Sequence, residues 1–429
     1  MPTPSSPERP NPILFGMPRF ATMFFYTALV TLSLPVIVVE KAGESSKGVH
    51  LGLITAAGAL LSIGVLYLFG IYRDRKSRTY QGASYPLFGL AVSLPALAAV
   101  SFHEYYGVLA AAFLVLIVSR SFCESSHLSV LTDRPELGNK GTYTSWITFW
   151  HFLGSGLGAL SFGFLPQLET VFGQPLAYGL GAVSILVVTV SMLGFYLVFY
   201  RPGQRAGRQP ARETETVRFE IPPSLRCLIL ARFFLLSGVL IIATFLVYVV
   251  LDYLGAAEIK KTASLLYFWS ILGSILSAVP AGKIIRKRGE IQLAFIAGGI
   301  LSIVTALFFL LGPRFPVINI PCMILYGAGF AGIIASGLSL TVKLMPHPQM
   351  SGRIMAIFAS STFLAQFLAS MSGALVLDPL NRWRENLGYF GLFALTEIYF
   401  FLGGFFLYRI KSLQASELDG QPASPADSR

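Results

Sequence analysis

Apolar runs of about 20 residues recur from one end of this chain to the other, and each is long enough to cross a hydrocarbon core about 30 Å thick. The 429 residues are 54% hydrophobic and only 12% charged, whereas a soluble domain carries about 25% charged residues because its surface faces water. Most of the surface of this chain therefore does not face water. The sequence predicts an all-α, polytopic membrane protein.

We place twelve transmembrane helices in the chain, divided into two bundles of six. The predicted spans are 13–39, 50–71, 79–101, 105–131, 141–165, 175–200, 224–251, 262–283, 290–312, 317–343, 351–377 and 388–409. The domain bounds that follow are a tail at 1–12, a first bundle at 13–200, a polar central loop at 201–223, a second bundle at 224–409 and a tail at 410–429.

The cations of the loops predict the orientation in the membrane. Odd-numbered loops carry few of them: Lys41, Lys47, Lys260, Lys261, Arg314, Arg382 and Arg384. Even-numbered loops carry many more, among them Arg73, Arg75, Lys76, Arg78, Arg134, Lys140, Arg201, Arg205, Arg208, Arg212, Lys283, Arg286, Lys287, Arg288, Lys343 and Arg353. Because short cytoplasmic loops are enriched in Lys and Arg, both termini are predicted to be cytoplasmic, with the protein in the plasma membrane, or the inner membrane of a bacterium. The net charge of +11 is then a topological signature, and no loop is long enough to fold into a nucleic-acid-binding face.

An internal repeat relates the two halves. The segments that start at Arg19 and Arg232 both begin Arg-Phe and end with an acid, Glu40 or Asp252, shortly before a glycine. A second glycine, which opens a basic loop, follows each acid after thirty residues. A Pro-to-Gly segment, 135–141 or 346–352, keeps the same offset further on. These landmarks indicate duplicated six-helix halves in parallel orientation, related by an axis along the membrane normal.

The loop after the second span carries the sequence "GIYRDRKSR", from Gly70 to Arg78. It resembles the hallmark Gly-x-x-x-Asp-Arg-x-Gly-Arg-Arg of the major facilitator superfamily, with Gly70, Asp74, Arg75 and Arg78 in the matching places and Ser77 at the second glycine. The resemblance covers nearly the whole chain, because Arg120 matches the Arg of the family's fourth helix and "GSGLGALSFG" matches its glycine-rich fifth helix.

The resemblance implies a secondary transporter in which two bundles rock around a site at the midplane. It also implies that Asp74 accepts hydrogen bonds from the start of helix 351–377, near Ser351 and Gly352, where the helix dipole favours a carboxylate. Two loops are similar to those of the sugar–cation symporter branch, which binds its cation with acids of the second helix. Helix 50–71 contains no acid, so that cation site is not transferred.

Ionisable residues inside the spans are the candidates for the transport site, since a charge at bilayer depth costs about 3 kcal/mol or more. Arg120, Glu124 and His127 fall on one face of one helix at i, i+4 and i+7. Arg120 would hold an anionic or polar group, with Glu124 as its counter-ion or as a proton carrier. The alternative is an internal salt bridge that stabilises the helix or a closed gate, and His127 is interpreted as a hydrogen-bonded residue at the boundary.

Other polar groups leave two interpretations open. His151 lies at the depth of Arg120 and is either a proton carrier or a histidine satisfied by a neighbouring hydroxyl. Arg19 and Arg232 either form the anion clamp that the resemblance to organic-phosphate carriers implies or extend to the cytoplasmic interface. Glu397 is either a proton site or forms a hydrogen bond to a neighbouring helix. Glu40 and Asp252 are gate residues or, in the interpretation we favour, solvated helix ends. By family position only, the cavity would also be lined by Tyr26, Thr31, Tyr248, Asn319 and Gln366.

Function is predicted as secondary active transport of a small solute. The sequence contains no Gly-x-x-x-x-Gly-Lys-Ser/Thr loop for ATP, and the single cysteines Cys123, Cys227 and Cys322 lack metal or disulfide spacing. We therefore expect no enzyme activity, no cofactor and no metal. Protons are the expected coupling ion, through Glu124, His151 and Glu397, in a monomer embedded in the lipid bilayer. The substrate is either a small polar or anionic metabolite or an amphipathic drug or lipid; the alternative function is assembly, sensing, or pigment or cofactor delivery without solute flux.

Overall fold

The computed structural model of the chain describes residues 11–75, 84–100, 105–133, 140–164, 176–199, 221–344 and 351–419. Twelve long helical segments and no strand occur within these residues. In chain order they are α1 (Ile13–Ala42), α2 (Lys47–Arg75), α3 (Ser84–Val100), α4 (Tyr106–Asp133), α5 (Lys140–Phe164), α6 (Leu176–Phe199), α7 (Pro223–Tyr253), α8 (Ile259–Arg288), α9 (Glu290–Leu311), α10 (Asn319–Lys343), α11 (Ser351–Trp383) and α12 (Leu387–Asp419).

Length and hydropathy make most of these helices fit to cross a membrane. In the described part of the chain, nine have the length and apolar composition of a span, with mean hydropathy between 1.4 and 2.7, and α8 adds a tenth if its two parts, Ile259–Ser277 and Pro280–Arg288, form one bent span. The break in α8 falls at Pro280, which has no backbone N–H to donate. Helix α3 is shorter, at 17 residues. The helices follow the predicted spans in order and position, and the all-helical membrane fold is confirmed.

The helices form two bundles that meet along two seams. In the first bundle α1 packs on α5 and α6, and α3 packs on α4; in the second, α7 packs on α11 and α12, while α8 and α9 pack on α10. Helix α2 of the first bundle contacts α11 of the second, and α5 contacts α8. The face that contains the α1–α2, α7–α8 and α11–α12 turns is called the outer face below, following the predicted orientation.

Glycines let the helix backbones of a bundle approach closely. A Cβ at Gly158 would lie 2.5 Å from the carbonyl oxygen of Phe24, and one at Gly154 would clash with the carbonyl of Phe20. The Gly-x-x-x-Gly pair of α5 therefore packs against α1 of its own bundle, as small residues do between transmembrane helices. The pair therefore lies within the first bundle and not at the seam between the two bundles. Gly163 lies at that seam instead, against Ser264 of α8.

Helix α1 widens into a π-helical segment at its centre. The segment covers Tyr26–Ser33, and Ser33 donates a hydrogen bond of 2.7 Å to the carbonyl of Ala28. Pro35 follows directly and has no N–H for the carbonyl four residues earlier, which loosens the regular ladder. A second π segment, Val249–Tyr253, ends α7. Such insertions occur often at functional sites, and Tyr26 here borders the charged cluster described next.

Candidate functional site

Arg19 and Glu124 form a bidentate ion pair between α1 and α4. Arg19 Nη1 lies 2.6 Å from Glu124 Oε2, and Arg19 Nη2 donates a hydrogen bond of 2.7 Å to Oε1. The two side chains are only 12% and 24% exposed. Paired, hydrogen-bonded geometry of this kind compensates the cost of taking two charges out of water. The prediction that Arg19 extends to the interface is wrong, because a carboxylate within the bundle holds its guanidinium.

His151 of α5 completes the contacts of the same guanidinium. Arg19 Nε donates a hydrogen bond of 3.0 Å to His151 Nδ1. Because Nδ1 accepts this bond, the imidazole is the neutral tautomer that carries its proton on Nε2. The alternative that a neighbouring hydroxyl satisfies His151 is wrong. Arg19 thus joins α4 and α5 through two titratable groups at once.

Arg120 lies one turn from Glu124 on α4 and stacks on an aromatic ring. Its guanidinium carbon is 3.8 Å from the centroid of the Tyr26 ring, in cation–π geometry. Its Nη2 is 3.8 Å from Glu124 Oε2, and its Nε is buried with no hydrogen-bond partner in the described part of the chain. Glu124 is therefore shared, with Arg19 as the near partner and Arg120 as the far one. The sequence predicted Arg120 and Glu124 on one face of a helix and His151 at the same depth, and the structure brings the three together with Arg19.

Arg232 is the corresponding cation of the second bundle, on α7. It is 7% exposed, its guanidinium carbon lies 3.9 Å from the centre of the Phe358 ring, and its Nη2 donates a hydrogen bond of 3.1 Å to Thr362 Oγ1. Its Nε and Nη1 are buried and have no hydrogen-bond partner among the residues that the structure describes. The repeat-related Arg19 and Arg232 thus differ in what they bind.

The remaining predicted residues lie elsewhere. His127 is buried against the rings of Phe15 and Phe195. Glu397 of α12 accepts a hydrogen bond from Ser302 of α9, as the interpretation of a contact between neighbouring helices predicted. The prediction that Asn319 lines the cavity is corrected by its position. Its amide Nδ2 lies 3.4 Å from the carbonyl oxygen of Gly312, so its side chain stabilises the α9–α10 turn.

The predicted gating motif falls largely outside the described side chains. Gly70, Asp74 and Arg75 lie on the last turns of α2, whose backbone the structure describes. Their side-chain contacts and the whole of Arg78 lie outside the described residues. The contact of Asp74 with the start of α11 stays a prediction.

A second charged cluster joins the two bundles at the outer face. Lys47 Nζ lies 2.7 Å from Glu44 Oε2 and 2.6 Å from Asp252 Oδ2, and Asp252 also accepts a hydrogen bond from Tyr389. Tyr248 of α7 reaches the first bundle, with its hydroxyl 3.3 Å from the carbonyl of Lys47. The interpretation of Asp252 as a solvated helix end is wrong, since the residue bridges the bundles. Glu40 is exposed, as predicted.

Asp378 of α11 accepts hydrogen bonds from the first amides of α2. Its Oδ1 lies 3.1 Å from Gly48 N, and its Oδ2 lies 2.8 Å from Val49 N. A carboxylate at this position satisfies unpaired N–H groups and complements the positive end of the helix dipole. Next to it, Arg382 Nη2 donates a hydrogen bond of 2.7 Å to the carbonyl of Ser45. Asp378 was not singled out in the sequence, where the only signal is an acid near the end of an apolar run.

Comparisons with known proteins agree with this architecture. The sequence matches the Major Facilitator Superfamily over residues 87–370. No curated protein matches the chain. Among solved structures, a variant of the nucleoside transporter NupG is similar with a TM-score of 0.67 and 13% identity, over 94% of this chain and 99% of that one. A bacterial homologue of the iron transporter ferroportin in its inward-facing state has a TM-score of 0.65 and 15% identity, over 94% and 98%. A variant of the peptide transporter POT in complex with alafosfalin has a TM-score of 0.68 and 16% identity, over 94% and 95%.

The structural similarities show the fold alone at these identities, and the family match extends over most of the chain. The fold of two helical bundles and the matched sequence point in the same direction. This multi-pass membrane protein belongs to the Major Facilitator Superfamily and is a secondary transporter of small molecules, not an enzyme.

Proposed function

We propose that the chain couples solute transport to protons through Glu124 and His151. The observation that carries this proposal is the guanidinium of Arg19, which is bonded to both titratable groups, at 2.6 and 2.7 Å to Glu124 and 3.0 Å to His151. Arg120 of α4 is the further cation beside this pair, with its Nη2 3.8 Å from Glu124 Oε2. A proton that arrives here changes which groups Arg19 can bind.

Each protonation step has a defined structural consequence. A proton on His151 Nδ1 turns an acceptor into a donor that faces the Nε–H of Arg19, so this hydrogen bond breaks. A proton on Glu124 removes the negative charge that compensates Arg19 and Arg120 and weakens the bridge between α1 and α4. Both events release the Arg19 side chain, which can then rearrange with α1. A proton and a conformational change are coupled in this way without a cofactor.

Alternating access requires that one side of the protein closes while the other opens. The contacts between the bundles described above, Lys47 with Asp252 and Asp378 with Gly48 and Val49, lie at the outer face. We propose that this structure is the state closed at the outer face, with both termini cytoplasmic, and that these contacts break when the outer side opens. Asp74 would form the opposite contact at the cytoplasmic side.

The test is uptake into proteoliposomes under an imposed pH gradient, with a solute chosen by a binding screen. We expect uptake that an uncoupler abolishes, and loss of gradient-driven uptake in Glu124→Gln and His151→Gln. Glu397→Gln is the matched control, because Glu397 contacts Ser302 within the second bundle and is expected to retain coupling.

Two results would contradict the proposal. Gradient-driven uptake that survives neutralisation of Glu124, His151 and Glu397 together would exclude these groups as proton carriers. Binding of solutes without any flux, in protein shown to be folded and reconstituted, would favour the alternative of delivery, assembly or sensing.

A further inference from the structure

The last turns of α8 bend away from the rest of the helix and carry four cations. The segment Pro280–Arg288 makes an angle of 47° with Ile259–Ser277. Its cations are all exposed: Lys283, Arg286, Lys287 and Arg288. Because the first part of α8 has about the length that a membrane span needs, the bent segment lies where the helix leaves the hydrocarbon core, at the end of the molecule opposite the outer face.

No described acid neutralises these cations. Within the described ranges, none of the four forms an ion pair or donates a hydrogen bond from its side chain. The acid nearest in sequence is Glu290, which is buried and already has its own partners. Lys343 Nζ lies 2.6 Å from Glu290 Oε1, and Ser339 donates a hydrogen bond of 2.9 Å to the same oxygen. The bent segment therefore presents a concentrated positive charge to its surroundings.

A groove of about 440 Å³ runs along one side of the bent segment. Its described lining combines apolar and cationic residues: Pro280, Lys283, Ile284, Lys287 and Arg288. Their spacing of i, i+3, i+4, i+7 and i+8 places them on one face of the helix. On the transmembrane part of α8, four residues before Pro280, Leu276 is 63% exposed. The groove therefore has cations at the level of the lipid headgroups and apolar surface on the side of the hydrocarbon core.

Membrane topology alone does not explain this arrangement. The excess of cations in cytoplasmic loops constrains how many a loop carries, and not which face of a helix they occupy. Lys283, Lys287 and Arg288 share one face with apolar side chains and a groove, whereas Arg286 lies off that face. A surface of this kind is complementary to an amphiphile with an anionic headgroup.

We propose that the bent end of α8 binds an anionic phospholipid from the surrounding leaflet, which is the cytoplasmic leaflet in the predicted orientation. The phosphate lies against Lys283, Lys287 and Arg288, and the acyl chains pass Leu276 into the hydrocarbon core. Clusters of about four to eight Lys and Arg residues beside a transmembrane helix attract acidic lipids by the same electrostatics. This binding is separate from proton coupling, because it needs neither a gradient nor flux of a solute.

The test is a titration of the purified full-length protein, in a neutral detergent, with dioleoyl-phosphatidylglycerol. Native mass spectrometry counts the bound lipid, and wild type should bind this lipid about tenfold or more tightly than phosphatidylcholine. Each cation beside an anionic headgroup contributes a factor of about five to the affinity. The double variant Lys287→Gln, Arg288→Gln should therefore bind phosphatidylglycerol about 30-fold more weakly, with an unchanged Tm because both side chains are exposed.

The matched control is the double variant Arg409→Gln, Lys411→Gln. It also removes one Arg and one Lys, both exposed, from the part of α12 at the same end of the molecule, and it should keep the wild-type affinity. An equal loss of affinity in the two double variants would show a general effect of charge and overturn the proposal. Equal affinity of wild type for phosphatidylglycerol and phosphatidylcholine would contradict it as well.

Competition with glycerol 3-phosphate distinguishes a lipid site from a site for a soluble phosphate. At a concentration equal to that of the lipid, glycerol 3-phosphate should leave phosphatidylglycerol bound, because it lacks the acyl chains that contact the apolar surface. Displacement of half or more of the lipid under these conditions would refute the assignment to a phospholipid. Loss of gradient-driven uptake in Glu124→Gln, or its survival, has no bearing on this result.

Discussion

The contact between Asp378 and the start of α2 should determine how often the outer side opens. Asp378→Asn keeps one oxygen that accepts a hydrogen bond, but its NH₂ group faces a backbone N–H, so one of the two bonds at 3.1 and 2.8 Å is lost. A hydrogen bond to a charged group contributes about 1.5–3 kcal/mol, and a carboxylate at a helix N-terminus adds about 0.3–1 kcal/mol. The expected loss is about 2–4 kcal/mol for the outward-closed state, which multiplies the open population by about 30–900.

The assay is thiol labelling at the seam between α2 and α11. Ser370→Cys, in a background without the three native cysteines, places a nearly isosteric thiol at a fully buried position of α11 beside Gly52. A membrane-impermeant methanethiosulfonate reagent reaches this thiol when the bundles separate at the outer face. The labelling rate then follows the open population, and Asp378→Asn should raise it in proportion.

A matched control separates the loss of the Asp378–α2 contact from a general effect of removing a negative charge at the outer face. Glu40 is an exposed carboxylate at the end of α1, near the same face, and Glu40→Gln should leave the labelling rate unchanged. A labelling rate in Asp378→Asn within twofold of the parent would refute the reasoning. So would an equal increase in Glu40→Gln.

Three further predictions concern packing and charge. Glu124→Gln leaves Arg19 buried without its anion and should lower the unfolding free energy by about 3–5 kcal/mol. In a double-mutant cycle, the double variant with Arg19→Gln should recover part of this loss of stability. Strict additivity of the two single losses would count against an interaction between Arg19 and Glu124. Arg232→Met should raise Tm in anion-free buffer, since it removes an uncompensated buried charge, and a lower Tm would indicate a partner for that charge within the protein. Gly158→Leu should abolish the yield of folded protein, because a Cβ at this position already lies 2.5 Å from the carbonyl oxygen of Phe24. A Cβ at Gly64 would have no heavy atom of another helix within 4 Å, so Gly64→Leu should be tolerated. Equal yields of the two variants would contradict the packing account.

The candidate site was only partly predictable from the sequence. Arg120 and Glu124 share a helix, so their i, i+4 spacing places them on one face before any tertiary structure is known. Arg19 belongs to a different helix, and its sequence position near a cytoplasmic end favoured a side chain that extends to the interface. The structure pairs it with an acid 105 residues away, which only the packing of α1 against α4 decides.

Asn319 and Asp252 also show that the sequence does not specify which group a polar residue contacts. Asn319 was placed in the cavity by family position, yet its amide contacts a turn seven residues earlier. Asp252 looked like a solvated helix end, yet Lys47 of the other bundle binds it at 2.6 Å. In both cases the residue type was informative, and the partner depended on which neighbour the helix ends meet.

The sequence by itself determined that this chain spans a membrane with helices in two repeated halves. Hydropathy, loop charge and repeat spacing are properties of segments, and the bilayer acts on each segment separately. Tertiary structure alone decided that Asp378 binds the start of α2, 330 residues away, and that Arg19 pairs with Glu124 while Arg232 has no carboxylate partner among the described residues. These features depend on the rotation and approach of helices distant in the chain, which a run of apolar residues does not specify.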